Sequence, residues 1–186
     1  MTLWRCLAAL ANQLKVNKRI SMDTNKVISY TLPEVSALIR QWANDRNIIN
    51  GLNPASQFLK LIEEWSEAFT AGNNELLKDG VGDSYVVLTI IAAMHKIDIE
   101  TVAYDNIDFD DVGIKFLGEL AGNIARKRDI TVSLGQCISC LSTMAESSHL
   151  LGEGFTLTEA VCFAYHEIKD RKGIVKDGVF IKQSDL

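Results

Sequence analysis

The segment from Tyr85 to Met94 is apolar on nearly every side when it is drawn as a helix. A helix without a polar stripe has no face to turn toward water, so other elements must surround it. Two prolines and twelve glycines in 186 residues favour long helices over turn-rich sheets. We therefore expect an all-α bundle in which this segment is buried.

Local signals predict the elements at both ends of one domain over residues 31–186. Thr31 or Leu32 is expected near the N-cap of the first helix, because Pro33 follows and proline is favoured in a first helical turn. Near the C-terminus, Asp177-Gly178 lies between apolar residues and is typical of a small β-hairpin.

Residues 1–30 are set apart from this domain as an extension. The first twenty-one residues contain no acidic side chain and four basic ones, namely Arg5, Lys15, Lys18 and Arg19. Leaders of this composition can be transit peptides. We expect instead that Met22 is the true start, or that the extension is poorly ordered.

Acidic residues precede the apolar segment. At about 100° per residue, Glu64 and Glu67 project from one side of a helix, one turn apart, with Glu63 beside them. Asp83 lies at the head of the apolar segment, and Asp79 lies one turn earlier. A carboxylate drawn into apolar surroundings needs a cation or several donors. We predict that these carboxylates converge on a divalent cation.

The same helix carries a neighbouring apolar stripe. Gln57 and Lys60 fall on the stripe of Glu64 and Glu67, so the carboxylates should border the buried face. The apolar stripe consists of Phe58, Leu61, Ile62, Trp65 and Phe69. The alternative is that the glutamates form the solvated face of an amphipathic helix; Asp83 beside the apolar segment favours the metal.

These residues resemble a known family, the MazG-like nucleoside triphosphate pyrophosphohydrolases, and especially the compact forms common in phages. The resemblance extends from about Leu32 to Lys182 and depends on Gln57, Lys60, Glu63-Glu64-x-x-Glu67, Gly82-Asp83 and the segment from Ala164 to Gly173. It implies an all-α bundle in which an ExxE pair and an ExxD pair hold Mg²⁺, with Mn²⁺ as a substitute. The implied reaction converts a nucleoside triphosphate to the monophosphate and pyrophosphate.

The resemblance assigns Glu64 and Glu67 to the ExxE pair and Asp83 to the Asp of ExxD. Gly80 stands where the Glu of ExxD would be. Either Asp79 or Glu63 replaces it, or the metal has fewer ligands. An alternative is therefore a catalytically degenerate nucleotide-binding or regulatory module of the same fold.

Further roles follow from the same resemblance. Glu63 or Glu64 would orient the attacking water, and Lys60 would pair with a carboxylate or reach a phosphate. Lys169 and Arg171 would steady the terminal phosphates. Gln57 would contact the base. The family includes dimers and tetramers, which implies a homo-oligomer.

A degenerate internal repeat is also predicted, with copies at about 53–107 and 112–173. Phe116–Ala125 aligns with Phe58–Glu67, and Leu134–Gln136 aligns with Val81–Asp83. In the second copy the proposed ligands are replaced by Ala121, Gly122, Ala125 and Gln136. Its basic motif corresponds to the acidic segment 107–113 of the first copy, which suggests one composite site per chain. Short amphipathic helices also align by period alone.

Composition limits the other partners. A net charge of −5 leaves no electrostatic footprint for nucleic acid, and no apolar run reaches the ~18 residues of a membrane span. The spacing Cys137-x-x-Cys140 lies in a helical apolar pattern without a second such pair, which favours reduced core thiols over a zinc or redox site. A cytoplasmic location is expected.

A remote alternative is a di-iron carboxylate bundle. Glu146-x-x-His149, on a predicted helix, matches the ExxH motif that two helices of such bundles each supply. Glu153 and Glu167 do not complete a second motif.

Overall fold

The computed structural model describes residues 30–105 and 112–185. Within these ranges the α-helices are α1 (Leu32–Asp45), α2 (Ile48–Gly51), α3 (Pro54–Thr70), α4 (Asn74–Met94), α5 (Val112–Ala125), α6 (Thr131–Glu146) and α7 (Leu157–Ile168). Two antiparallel strands follow, β1 (Gly173–Lys176) and β2 (Val179–Lys182). The predicted all-α fold with a C-terminal hairpin is confirmed. The predictions for residues 1–29 and for 106–111 lie outside the described residues.

Helix α1 begins where the sequence predicts. Thr31 is the N-cap, and its backbone N–H donates to Glu34 Oε2 at 2.8 Å while its hydroxyl accepts from the Glu34 backbone N–H at 3.4 Å. This reciprocal capping box satisfies two donors that the first helical turn would otherwise leave unpaired. One face of α1, including Val35 and Ile39, is fully buried.

Helix α4 lies at the centre of the bundle, in contact with α1, α2, α3, α6 and α7. The predicted burial of its apolar segment is confirmed, and the helix also includes the residues that precede this segment. The helix begins at Asn74, where the Asn73 side chain accepts a hydrogen bond from the backbone of Leu76 at 2.9 Å. Asp79 and Asp83 therefore lie inside the helix, where they project toward its neighbours, and not at its mouth.

Two glycines of α4 allow two other helices to approach closely. A Cβ at Gly80 would lie 2.5 Å from the backbone nitrogen of Ala68 in α3, and a Cβ at Gly82 would lie 2.4 Å from the carbonyl oxygen of Ala160 in α7. Both distances are shorter than real Cβ contacts. Helices α3 and α7 therefore pack against α4 at the level of its aspartates.

The buried face of α3 differs from the predicted stripe. Leu61 and Trp65 are buried as expected, whereas Ile62 and Phe69 are 40% and 39% exposed. Glu64 lies on the buried face, at 6% exposure. The reason is that α3 packs mainly on α4, with Leu61 and Ala68 buried. This contact shifts the buried face of α3 toward Glu64 and away from Ile62 and Phe69.

The helix pairs α3–α4 and α5–α6 share a burial pattern in their second helices. Val81 and Leu134 are both fully buried at the aligned positions. Both helices also carry a glycine that packs against a backbone carbonyl. A Cβ at Gly82 of α4 would lie 2.4 Å from the oxygen of Ala160, and a Cβ at Gly135 of α6 would lie 2.4 Å from the oxygen of Ala103. The repeat stays a prediction, and α4 and α6 share these features at the aligned positions.

The predicted register of the first helices is wrong by one residue. It aligns buried Leu61 with exposed Glu119, and exposed Ile62 with buried Leu120. Aligning Leu120 with Leu61 restores the burial pattern, and it places Asn123 opposite Glu64. Because Gln136 already corresponds to Asp83, the second copy then has two amides where the first has two carboxylates.

The hairpin closes the fold. Asp177 and Gly178 have φ angles of 52° and 75°, the left-handed pair that a two-residue hairpin turn requires. Phe180 packs against Trp42 of α1, with ring centroids 6.2 Å apart and nearly perpendicular planes. The strands are thereby attached to the helical core.

The cysteines of the described ranges are free thiols, and they are buried. Cys137 and Cys140 lie in the core on α6, and burial raises the pKa of the Cys140 thiol to about 11. Such thiols stay protonated and unreactive at neutral pH. None of the described helices has the length and apolar character needed to cross a membrane.

Candidate functional site

Carboxylates from three helices share one electrostatic environment. Burial raises the pKa of Asp83 to about 7, and the charges of Glu64, Asp79 and Glu167 raise it as well, while Arg171 lowers it. Burial also raises the pKa of Asp79, and Glu167, Glu64 and Glu67 add to this rise. We call this group the carboxylate cluster: Glu64 and Glu67 from α3, Asp79 and Asp83 from α4, and Glu167 from α7.

Lys60 neutralises one edge of the cluster. Its Nζ lies 2.5 Å from Glu64 Oε1 and 3.1 Å from Glu63 Oε2. Burial lowers the pKa of Lys60, but the hydrogen bonds to Glu64 and Glu63 outweigh burial and the net pKa is raised. Glu63 is on the solvent side of this pair, with 59% of its side chain exposed.

An open groove of about 390 Å³ runs beside α7. Among the described residues it is lined by Phe163, His166, Glu167 and Arg171. Glu167 and Arg171 also act on the pKa of Asp83. The groove and the carboxylate cluster are therefore continuous through these two side chains.

Arg46, at the end of α1, holds the backbone from which Arg171 projects. Its guanidinium donates to the carbonyl oxygens of Arg171 at 2.6 Å and of Lys169 at 3.2 Å, and it stacks over Trp42 with 5.0 Å to the ring centroid. Lys169 has an exposed side chain, and its Nζ lies 3.9 Å from Asp170. Of the two predicted phosphate ligands, the structure brings Arg171 to the cluster.

The carboxylate cluster offers the type of ligand that a hard divalent cation prefers. Its side chains offer carboxylate oxygens, and the pKa of Asp83 is raised first by its own burial and then by the neighbouring carboxylates, with Arg171 opposing them. Within the described residues, however, no three His, Cys, Asp or Glu side chains are placed to hold one metal ion together. Binding would require Lys60 or the carboxylates to change rotamer.

The sequence reasoning missed the contribution of α7. Phe163 and His166 in the groove, and Glu167 in the cluster, were not predicted as site residues. The spacing of four residues between Glu167 and Arg171 would place both on one side of a helix, although α7 ends at Ile168 and Arg171 follows it. Which helix that side faces depends on packing, and spacing does not show it.

The comparisons with known proteins add one partial match. A stretch of 63 residues is 40% identical to an "Uncharacterized 18.2 kDa protein in rep-hol intergenic region" of Haemophilus phage HP1. The match covers 32% of this chain and 39% of the length of the phage protein. No family model and no solved structure matches the chain.

The predicted helix around Glu146 and His149 is wrong in its extent. Helix α6 ends at Glu146, and His149 lies in the 3₁₀ turn Ser147–Leu150. The Nδ1 atom of His149 lies 2.6 Å from the Glu146 carbonyl oxygen, and the side chain is exposed. This ring therefore caps the end of its own helix and does not face the bundle interior, as an ExxH ligand would.

Asp83 should make the stability of the metal-free protein depend on pH. The ordinary pKa of this carboxyl is 3.8 and its pKa in the fold is about 7, so between these pH values the folded state holds a proton that the unfolded state has lost. The free energy of unfolding should therefore fall as pH rises from about 4 to 7. We expect Asp83→Asn to remove this fall and to stabilise the protein at pH 8, by on the order of 2 kcal/mol.

Urea unfolding at several pH values, without divalent cations, measures this effect. Mg²⁺ added to the wild type at pH 8 should raise the midpoint, and it should leave the Asp83→Asn midpoint nearly unchanged. An equal slope of stability against pH in both proteins would show that Asp83 does not titrate in this range.

Proposed function

We propose that this protein is a divalent-cation-dependent hydrolase that converts a nucleoside triphosphate to the monophosphate and pyrophosphate. The observation that supports it best is the meeting of Glu64, Asp79 and Asp83 with Arg171, across α3, α4 and the end of α7. Carboxylates that need a cation, next to a guanidinium that suits phosphate, are what polyphosphate chemistry requires. We place the activity in the cytoplasm and expect self-association, as in the family that the chain resembles.

Glu64, Asp79 and Asp83 would hold the metal, with Glu67 at the exposed edge. When bound, Mg²⁺ or Mn²⁺ neutralises phosphate oxygens and lowers the pKa of a coordinated water. The carboxylates also repel any phosphate that arrives without a cation. This repulsion explains why a chain of net charge −5 would take its substrate as a metal complex.

The cations of the chain would bind and orient the polyphosphate. Arg171 presents a planar fork for two phosphate oxygens, and the Arg46 hydrogen bonds to its backbone fix the base of this side chain. Lys60 lies on Glu64 and is within the same cluster, so it can exchange its carboxylate for a phosphate oxygen.

The reaction is a displacement at the α-phosphorus. The oxygen of a water molecule forms a bond to this phosphorus, the bond to the α–β bridging oxygen breaks, and pyrophosphate leaves. A glutamate takes the proton of the water. Glu64 is buried inside the cluster, while Glu63 is beside Lys60 at the solvent edge, so Glu64 is the better placed of the two.

One observation favours a second candidate, a nucleotide-binding module without turnover. Gly80 occupies the position of a family ligand, and no three carboxylates of the described ranges enclose an ion. Such a module would bind the nucleotide through the same cations and would leave it intact.

The test is to incubate the protein with Mg²⁺ and a panel of canonical and modified nucleoside triphosphates in ¹⁸O-labelled water. We expect pyrophosphate and monophosphate in equal amounts, with the label in the monophosphate, because attack is at the α-phosphorus. Release of orthophosphate, or label in pyrophosphate, would contradict the mechanism. Binding without any product would establish the second candidate.

A further inference from the structure

We propose that the groove beside α7 is the nucleoside subsite, which binds the base against Phe163 and His166 and the adjoining phosphate at Arg171. The inference rests on the proposed function for the nature of the ligand. It goes beyond that function because it assigns base recognition to residues of α7 and not to Gln57 of α3.

The size and lining of the groove suit a nucleotide. Its volume of about 390 Å³ is within the range of about 300–1,000 Å³ that small-molecule sites occupy. Its described lining combines an aromatic ring, an imidazole, a carboxylate and a guanidinium. A nucleoside monophosphate offers the matching groups, namely a flat base, sugar hydroxyls and a phosphate.

Phe163 supplies a surface for the base. The ring is half-buried and lines the groove, while Lys78 lies over it with 5.7 Å from Nζ to the ring centroid. Lys78 also lies 5.9 Å from the centroid of Phe155, so its position is fixed by two rings. Bases stack on exposed aromatic faces without strong sequence preference.

His166 offers an unsatisfied hydrogen-bonding atom. Its Nε2 is buried and has no partner, although the side chain lines the groove. The ring lies beside Tyr30 and Tyr165, with centroid distances of 6.4 and 6.3 Å. A buried polar atom without a partner is unfavourable, and rotation of the ring toward the groove would let an amino or imino group of a base satisfy it.

The orientation of the ligand follows from Arg171. This side chain lines the groove and also lowers the pKa of Asp83, so it lies where the groove meets the carboxylate cluster. A nucleotide with its phosphates at Arg171 and the metal-binding carboxylates must extend its nucleoside along α7. Phe163, which precedes Arg171 in the chain and lines the same groove, is then on the side of the base.

Binding can be measured without turnover. Isothermal titration of the full-length protein in the presence of Mg²⁺ with a panel of nucleoside monophosphates, and with inorganic phosphate, should show at least one monophosphate binding about tenfold more tightly than phosphate. Phe163→Leu keeps apolar volume but removes the aromatic face. We expect it to weaken monophosphate binding about tenfold and to leave phosphate binding unchanged, whereas Arg171→Ala should weaken both.

Phe69→Leu is the matched control, because Phe69 is a partly exposed aromatic on α3 that is not among the described residues lining the groove. It should bind monophosphate as the wild type does. His166→Leu should resemble Phe163→Leu, and His166→Gln, which keeps a hydrogen-bonding group, should retain more affinity. Circular dichroism and the unfolding midpoint of each variant establish that it is folded before its affinity is compared.

The outcomes separate the two proposals. Equal affinity for phosphate and for every monophosphate, or wild-type affinity in Phe163→Leu, would overturn the subsite even if the protein releases pyrophosphate. Tight monophosphate binding that depends on Phe163, without any hydrolysis, would support the subsite and overturn the hydrolase alone.

Discussion

We expect Gly82→Ala to lower the free energy of unfolding by about 2 kcal/mol or more, and the melting temperature by roughly 4–8 °C. The new Cβ would lie 2.4 Å from the carbonyl oxygen of Ala160 and 2.8 Å from the Cβ of Ala164. Both atoms belong to the packed helix α7, so the contact can be relieved only if α7 moves away from α4. This cost exceeds the ~1 kcal/mol that alanine gains over glycine inside a helix.

Gly118→Ala is the control for this prediction. Gly118 is also in the middle of a helix, but a Cβ there would have no atom within 4 Å. It should stabilise the protein by about 0.5–1 kcal/mol. Scanning calorimetry and urea unfolding measure both variants. If the two glycines gave equal changes, the close contact of α4 with α7 would be wrong.

A second close contact, of α4 with α3, explains why a glycine is found at position 80. A Cβ at this position would lie 2.5 Å from the Ala68 nitrogen and 2.7 Å from its Cα. The glutamate that the resemblance leads one to expect at Gly80 has no room there. Gly80→Glu should therefore unfold the protein and not increase its activity.

Glu64→Gln should lower the rate of pyrophosphate release by about 100-fold or more. The amide has the shape of the carboxylate, so the packing of this buried residue is preserved, but it lacks the charge that binds a cation and the basic oxygen that accepts a proton. It also breaks the ion pair with Lys60. Steady-state kinetics at saturating Mg²⁺ and triphosphate measure the effect.

Glu119→Gln on α5 is the matched control. Glu119 forms an ion pair with Lys115 at the same spacing, 3.8 Å between the charged atoms, but its side chain is 42% exposed. This variant should keep the wild-type rate. A Glu64→Gln protein that is folded and retains more than half of the wild-type rate would show that the carboxylate cluster is not the catalytic site.

Local chemistry predicted several elements correctly. Thr31 before Pro33 marks a helix start, Asp177-Gly178 marks a hairpin turn, and the run from Tyr85 to Met94 is buried. In each case the cause acts within a few residues of the chain. A hydrogen bond at a cap, a left-handed φ pair or a missing polar face does not depend on distant residues.

Periodicity alone predicted less accurately which face of a helix is buried. It assigned Ile62 and Phe69 to the buried side of α3, although both are partly exposed. It also aligned buried Leu120 with exposed Ile62, whereas Leu61 is the residue of α3 that is buried like Leu120. One residue along a helix corresponds to a rotation of about 100°. A broad apolar stripe tolerates such an error, and only the neighbouring helix selects the face that is buried.

The sequence by itself determined the all-α class, the helix caps, the hairpin and the acidic residues of α3 and α4. Only the tertiary structure decided that Glu167 and Arg171 join Asp79 and Asp83. The physical reason is that α7 is placed by a backbone contact between Gly82 and Ala160, residues far apart in the chain. Contacts of this kind depend on the shapes of the assembled helices, which no local pattern encodes.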